Sequence, residues 1–149
     1  MTRPRAISVA IVIERPVAEV WSEVADIARH VDWMADAVAI RFLTDTRRGV
    51  GTRFACDTRI GPLSTTDVME VTVWDEPRRL GVRHVGLVTG VGEFVLVALD
   101  GARTEFRWDE DLTFPWFLGG PLGALVARPV LRLVWRRNLA RLKERLERG

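Results

Sequence analysis

The chain has 149 residues, of which 48% are hydrophobic, and a formal net charge of +2 at pH 7. This length predicts one domain with a sizeable buried core, and no apolar run is long enough to cross a bilayer. The lone cysteine, Cys56, excludes a disulfide framework and a zinc site built from several cysteines.

The first segment, MTRPRAISVAIVIERP, is basic and then apolar, as a signal peptide would be. Its apolar run at residues 7–13 is short and rich in β-branched residues, however. The sequence Glu14-Arg15-Pro16 follows where a cleavage site would need small residues. We therefore predict a first strand at residues 6–14 and a cytoplasmic protein.

Two short helices and a meander of strands are predicted next. Pro16 suits the start of a helix over residues 16–26, and a second short helix covers residues 26–34. Turn signals rich in Gly, Pro and Asp then occur at fairly regular spacing, which favours one antiparallel sheet. The strands that these turns separate are predicted at residues 37–43, 52–60, 63–74, 80–85, 91–99 and 103–114.

A long helix is predicted over residues 121–148, after a break at Gly119 and Gly120. Its length of about 42 Å is close to the diameter of a domain of this size, so the rest of the chain must pack around it. One apolar stripe follows its whole length: Ala124, Ala127, Leu131, Trp135, Leu139, Leu142 and Leu146. A second apolar face is confined to its first half: Leu122, Leu125, Val126, Val130, Leu133 and Val134.

Residue size along the stripe differs between the two halves of this helix. The first half has the small side chains Ala124 and Ala127, whereas the second half has Trp and Leu. Small side chains facing a sheet leave space, so we expect the first half to roof a cavity and the second half to seal the core. A uniformly close-packed core is the alternative.

Charge is distributed unevenly along the chain. Residues 121–149 contain 8 basic and 2 acidic residues, a net charge of +6, while the preceding residues contain 14 basic and 18 acidic residues, a net charge of −4. A basic helix can bind nucleic acid or an anionic membrane. We favour a solvated helix face and expect no nucleic-acid partner, because no nucleic-acid motif surrounds these residues. Membrane contact is the less favoured alternative, and the sequence leaves open a monomer or a homodimer.

Several short motifs occur in a characteristic order: PVAEVW at residues 16–21, GVGTRF at 49–54, WDEPRRL at 74–80, GART at 101–104 and LARLK at 139–143. With the order of the predicted elements, these motifs resemble the START-like, polyketide cyclase/dehydrase and lipid-transport superfamily, also called SRPBCC. The resemblance covers essentially the whole chain. It implies one α+β helix-grip domain over residues 1–149, in which a seven-stranded curved antiparallel sheet wraps around the long C-terminal helix.

Alternation of side chains along the strands predicts which residues face the interior. The predicted hollow is apolar and aromatic, with a few polar side chains: Thr58, Asp67, His84 and Glu110. A concave apolar site with sparse polar groups is the usual form of a small-molecule site. Arg128 could pair with Glu110 or extend its charge to solvent. The residues predicted to contact a ligand are Trp33, Phe54, Thr58, Met69, Val71, Phe106, Trp108, Trp116, Ala124, Ala127 and Arg128.

Several other chemistries lack the residues they need. His30 and His84 lie on different elements, which argues against a histidine-rich metal site. There is no Gly-x-Ser-x-Gly nucleophile motif, and Gly90-Val91-Gly92 lacks the helix that a dinucleotide-binding loop requires. We therefore expect no metal and no cofactor, and we interpret Cys56 as a small buried hydrophobe.

The resemblance implies binding or carriage of a hydrophobic or aromatic small molecule, of polyketide, lipid or isoprenoid type, in a central cavity. One alternative is a polyketide aromatase/cyclase or dehydrase acting in the same cavity. Such an enzyme needs an acid or base to move a proton next to a carbonyl, and the candidates are Glu110, Asp67 and His84. A second alternative is a membrane-associated quinone or lipid carrier that uses the basic C-terminal helix.

Overall fold

The computed structural model describes residues 7–149. Its strands are β1 (Ile7–Ile13), β2 (Ala37–Phe42), β3 (Arg53–Ile60), β4 (Leu63–Asp75), β5 (Arg79–Val85), β6 (Thr89–Asp100) and β7 (Arg103–Thr113). Its helices are α1 (Val17–Val24), α2 (His30–Trp33) and α3 (Gly120–Arg148), with 3₁₀ turns at Ile27–Arg29 and Trp116–Leu118. The predicted strands, the first helix and the long helix are confirmed, with bounds that agree to within two residues. The second helix, predicted at residues 26–34, is a 3₁₀ turn at Ile27–Arg29 followed by α2, which begins four residues later than predicted. The turn at Trp116–Leu118 was not predicted, and Ala6, assigned to the first strand, lies outside the described residues.

The seven strands form one antiparallel sheet in the order β1-β7-β6-β5-β4-β3-β2. Register shifts occur between Ala37 and Ala39, between Val71 and Val73, and between Ala98 and Asp100. Such irregularities increase the local twist of a strand. The sheet curves around α3, and the predicted α+β helix-grip architecture is confirmed.

The second half of α3 lies in the main hydrophobic core. Trp135, Leu139 and Leu142 are buried there together with side chains of β1, α1, β6 and β7. Trp135 also stacks on Trp108 of β7, with ring centroids 4.9 Å apart. At the end of the helix, Arg145 pairs with Glu23 of α1, so this half is fixed by both apolar and charged contacts.

Asn138 connects α3 to the loop between α2 and β2. Its side chain is fully buried; Oδ1 accepts a hydrogen bond from the backbone N–H of Ala35 at 3.0 Å, and Nδ2 donates to Asp36 Oδ1 at 2.6 Å. Because this buried amide hydrogen-bonds to both Ala35 and Asp36, it fixes the loop relative to the helix. This contact matters for the site because Asp36 lines the cavity described below.

The first half of α3 behaves differently. Most of its second apolar face is exposed, and only Val134 packs against the core. The exposed side chains are Leu122, Leu125, Val126, Val130 and Leu133. Across residues 7–149 no helix combines the length and apolar character that crossing a membrane requires.

Candidate functional site

A cavity of about 140 Å³ lies between the inner face of the sheet and the middle of α3. Alternate side chains of β3 to β7 line most of it, and Leu131 and Trp135 cover it from the helix. Its wall is mainly apolar: Phe54, Met69, Leu80, Val82, Phe94 and Trp108. For scale, an engineered apolar cavity of about 150 Å³ holds one benzene molecule.

A pair of polar side chains, His84 and Glu110, stands in this apolar wall. His84 Nε2 lies 3.1 Å from Glu110 Oε2, and Trp108 Nε1 donates a hydrogen bond to Glu110 Oε1 at 3.1 Å. All three residues line the cavity, and Glu110 and Trp108 are buried. Both carboxylate oxygens of Glu110 are therefore held in place by neighbouring rings.

Gly92 allows the His84–Glu110 contact to form. Glu110 is on β7 and His84 on β5, with Gly92 of β6 directly opposite Glu110 between them. A Cβ atom at Gly92 would lie 2.5–2.7 Å from the carboxyl atoms of Glu110. The absence of a side chain at this position lets the carboxylate cross β6 and reach His84, a close approach that is one reason for Gly within a strand.

The titration of His84 reflects its neighbours. Burial by itself lowers the pKa of His84, but the hydrogen bond and charge of Glu110, together with the charge of Asp67, outweigh it and raise the pKa above the ordinary value. A raised pKa favours the imidazolium, which donates from both ring nitrogens. His84 Nδ1 is buried and has no hydrogen-bond partner within the described part of the chain.

Asp67 is the third titratable group at this end of the cavity. Burial raises the pKa of its carboxyl group, and the charge of His84 partly opposes that rise. Its Oδ1 atom is buried without a hydrogen-bond partner among residues 7–149. Asp67 Oδ1 and His84 Nδ1 are therefore two polar atoms available to a bound molecule.

Other titratable groups in the wall are less suited to chemistry. Burial raises the pKa of the Cys56 thiol to about 11, which disfavours the nucleophilic thiolate. Burial lowers the pKa of His30, whose Nε2 makes a 2.7 Å hydrogen bond to the carbonyl of Val24. A neutral, hydrogen-bonded His30 is a structural residue. No group of described residues has the composition of a metal site.

The cavity wall contains acidic side chains, and no described lysine or arginine lines it. Besides Asp67 and Glu110 it contains Asp36, which Asn138 holds, and Glu93, which pairs with Arg79 outside the cavity. No Lys or Arg is among the described residues that line it. The electrostatic environment therefore disfavours an anion and accepts a neutral or cationic group.

The structure brings seven of the predicted site residues together around this cavity, and their functional roles remain predictions. They are Phe54, Thr58, Asp67, Met69, His84, Trp108 and Glu110.

Four other predicted contact residues lie elsewhere. Trp33, Val71 and Phe106 are fully buried behind the wall, where they pack on other core side chains instead of facing the space. Trp116 was assigned to the pocket wall, but its side chain is 86% exposed, because it belongs to the 3₁₀ turn before α3.

The prediction that the first half of α3 roofs the cavity is also incorrect. Ala124 and Arg128 line a separate recess of about 360 Å³ between the start of α3 and the ends of β6 and β7, and Ala127 lines neither space. Arg128 forms no ion pair with Glu110, whose carboxylate contacts His84 and Trp108. The roof is nearer the middle of the helix, at Leu131 and Trp135.

Sequence reasoning missed several lining residues. Alternation along their strands does place Cys56, Leu80 and Val82 on the inner face, but they are not among the predicted ligand contacts. An unexplained Gly92 within a strand was a weaker signal for a close approach. Asp36 had no local signal, because its position depends on the buried contact with Asn138.

Comparison with known proteins agrees with the fold. The family described as polyketide cyclase / dehydrase and lipid transport matches residues 4–147. No protein of curated function matches the sequence.

Similar solved structures include the Zhui aromatase/cyclase from Streptomyces sp. R1128, at 20% identity and a TM-score of 0.71, over 95% of this chain and 93% of that chain. A START superfamily protein from Mycobacterium smegmatis is 17% identical, with a TM-score of 0.72 over 95% and 97% of the two chains. A point mutant of norcoclaurine synthase from Thalictrum flavum, in complex with a transition-state analogue, is 12% identical, with a TM-score of 0.71 over 95% and 93%. These identities establish likeness of fold alone.

The family match extends over nearly the whole chain, and the sheet, the long helix and the cavity between them agree with it. Family and fold are consistent with hydrophobic ligand binding or with polyketide cyclase activity. The chain belongs to the polyketide cyclase/dehydrase and lipid-transport family.

Proposed function

We propose that the protein binds a hydrophobic, ring-containing small molecule that carries one polar group. The observation that supports this best is the apolar cavity with two unpartnered polar atoms, Asp67 Oδ1 and His84 Nδ1, at one end. Buried polar atoms normally have hydrogen-bond partners. A ligand hydroxyl, carbonyl or amine would supply one, while its ring fills the apolar space.

The size of the cavity defines the part of the ligand that it takes. About 140 Å³ holds a single ring. Leu112 lines both the cavity and the recess beside α3, so a longer polyketide or isoprenoid would extend past this side chain. The ring end would stay at His84 and the remainder would occupy the recess.

The charges of the wall define which polar group the ligand carries. Four carboxyl groups line the cavity within the described residues, and the basic side chain nearest to them, His84, already pairs with Glu110. No Lys or Arg lines the cavity there, so an anionic ligand would lose hydration without gaining an unpaired counter-charge. Neutral phenols and ketones, or amines, are the favoured classes.

Titration calorimetry with matched probes tests this proposal. We expect 4-ethylphenol to bind more tightly than ethylbenzene by roughly tenfold, the value of one good hydrogen bond, and 4-methylbenzoate to bind most weakly. Asp67→Leu should weaken the preference for the phenol and keep ethylbenzene binding, whereas Asp67→Asn should largely retain it. The proposal fails if folded protein binds none of these probes.

A second candidate function, acid–base catalysis on the bound molecule, is favoured by the His84–Glu110 contact. A buried histidine paired with a carboxylate can move a proton to or from a carbon next to a carbonyl, as cyclisation and dehydration require. His84 would transfer the proton. Glu110 would orient the imidazole and stabilise its positive charge, and Asp67 would bind the substrate oxygen.

Turnover separates the two functions. With a poly-β-ketone substrate, the catalytic role predicts an aromatic product by absorbance, and loss of product in His84→Gln and Glu110→Gln with substrate affinity retained. Binding of the polyketone without product in the wild-type protein would exclude the catalytic role for that substrate and leave ligand binding as the function.

A further inference from the structure

The 3₁₀ turn and the outward face of the first half of α3 form one exposed apolar surface, the α3 patch. Trp116 is 86% exposed and Leu122 is 69% exposed. Single exposed hydrophobic side chains are normal, but a contiguous group of this size marks an interaction surface. The patch consists of Trp116, Phe117, Leu118, Leu122, Leu125, Val126, Val130 and Leu133.

The helical part of the patch is continuous. Leu122, Val126 and Leu133 are separated by four and seven residues, which places them on one side of an α-helix. Leu125 and Val130 widen this side. In the next turns, Arg136 and Arg137 occupy the same outward side and are both exposed. The outward face of α3 therefore changes from apolar to basic along its length.

The arginines next to the patch have no protein partners. Arg132, Arg136, Arg137 and Arg141 form no ion pair and no side-chain hydrogen bond within residues 7–149. The basic residues nearer the end of α3 are different: Arg145 pairs with Glu23, Lys143 with Glu147 and Arg148 with Glu144. The helix has no acidic residue before Glu144, so its unpaired positive charge is concentrated beside the apolar surface.

We propose that the α3 patch docks this protein on the surface of a membrane that contains anionic lipids. Exposed Trp, Phe, Leu and Val beside unpaired arginines match the interfacial region, where apolar side chains enter the acyl boundary and cations contact lipid phosphates. The aromatic side chains of the 3₁₀ turn suit the headgroup level. The helix lies on the bilayer and does not span it.

Charge argues against a second copy of the chain as the occupant. Pairing two α3 patches would bring both sets of four unpaired arginines close together without an acidic partner on the helix before Glu144. Like charges across an interface destabilise it. An anionic bilayer removes the apolar surface from water and neutralises the same charges.

Docking would also place the proposed ligand site close to the bilayer. Pro121 and Ala124 of α3 line the recess that Leu112 separates from the cavity. A hydrophobic ligand could exchange between lipid and protein at this recess. This consequence rests on the proposed function, whereas docking itself does not require any ligand.

Vesicle co-sedimentation of the full chain tests the docking. We expect binding to vesicles of phosphatidylcholine mixed with phosphatidylglycerol, weaker binding to phosphatidylcholine alone, and a loss of binding as salt is raised. Leu122→Glu combined with Val126→Glu should reduce the bound fraction at least about tenfold. Arg136→Glu combined with Arg137→Glu should do the same, while lysines at both positions retain binding.

Val50→Glu combined with Leu63→Glu is the matched control, because these side chains, in the loop before β3 and at the start of β4, are 67% and 62% exposed and do not belong to the patch. This control should bind like wild type, and circular dichroism checks that every variant is folded. The proposal is overturned if folded wild type ignores anionic vesicles, or if patch and control variants bind alike. A dimer that Leu122→Glu with Val126→Glu dissociates in analytical ultracentrifugation would also overturn it.

Discussion

The two halves of α3 have opposite relations between sequence and burial. The first half is the more apolar in sequence, yet Leu122 and Leu125 are exposed. The second half is rich in arginine, yet Leu139 and Leu142 are almost fully buried. The difference shows that burial depends on what a helix packs against. The second half lies on β1, α2 and β7. The first half lies over the recess beside β6 and β7, and its outward face is uncovered.

Truncating one leucine in each half of α3 should show that their apolar side chains contribute unequally to the free energy of unfolding. Leu142→Ala should lower the free energy of unfolding by about 2–5 kcal/mol, because it leaves a cavity in a packed core. Leu125→Ala should change it by no more than about 0.5 kcal/mol, since this side chain is 57% exposed. Urea denaturation measures both, and equal losses would contradict the assignment of the two halves.

The buried Asn138, in the second half of α3, should contribute nearly as much to stability as Leu142. Asn138→Ala should destabilise the protein by about 1–3 kcal/mol, because it leaves the Ala35 N–H and the Asp36 carboxyl without their partner. The neighbouring exposed Arg137→Ala is the control and should have little effect. If Asn138→Ala unfolds at the same urea concentration as this control, the buried amide does not fix the loop.

Local pattern was sufficient to predict the secondary-structure elements and one antiparallel sheet, while the family resemblance supplied the helix-grip arrangement. Alternation in β7 and the 3.6-residue repeat of Trp135, Leu139 and Leu142 are properties of neighbouring residues, so the sequence displays them directly. The polar end of the cavity followed from the same alternation, which assigned Asp67, His84 and Glu110 to the inner face.

The remaining features depend on contacts between elements. Which residues of α3 cover the hollow is decided by where the helix sits along the sheet, and Leu131 and Trp135 do so instead of Ala124 and Ala127. The role of Gly92 requires the register of β6 against β7. Neither quantity is encoded in the spacing of residues within one segment.

The polar end of the cavity can be tested through His84. Glu110→Gln removes the negative charge and leaves only a neutral hydrogen-bond acceptor against the effect of burial, so the pKa of His84 should fall from its raised position. Proton NMR titration can follow this, because the chain has only two histidines. An unchanged titration of His84 would show that the contact with Glu110 does not form in solution.

The raised pKa of His84 has a consequence for the stability of the fold. The pKa of His84 in the folded protein lies above its ordinary value of 6.5, so protonated His84 stabilises the fold below about pH 6.5, and this contribution is lost as the pH rises through the folded-state pKa. Glu110→Gln should therefore flatten the decline of the unfolding free energy as the pH rises above about 6.5. A decline of equal slope in both proteins would contradict this assignment.

Gly92→Ala should lower the pKa of His84 by less than Glu110→Gln does. The added methyl group would meet the carboxyl group of Glu110, which can move because it ends a flexible side chain. We expect the pKa of His84 to fall part of the way and the fold to persist. Gly101→Ala is the control, since a Cβ there meets no atom within 4 Å. Identical His84 titrations in the two variants would show that the His84–Glu110 contact does not depend on Gly92.

The indole N–H spectrum tests the central claim, that the ligand site is the cavity under the middle of α3. Trp108 and Trp135 line the cavity, whereas Trp116 belongs to the exposed α3 patch. On titration with 4-ethylphenol in ¹⁵N–¹H correlation spectra, assigned with Trp→Phe variants, the account predicts that the Trp108 and Trp135 signals move and the Trp116 signal does not. Movement of Trp116 with Trp108 and Trp135 unchanged would contradict it.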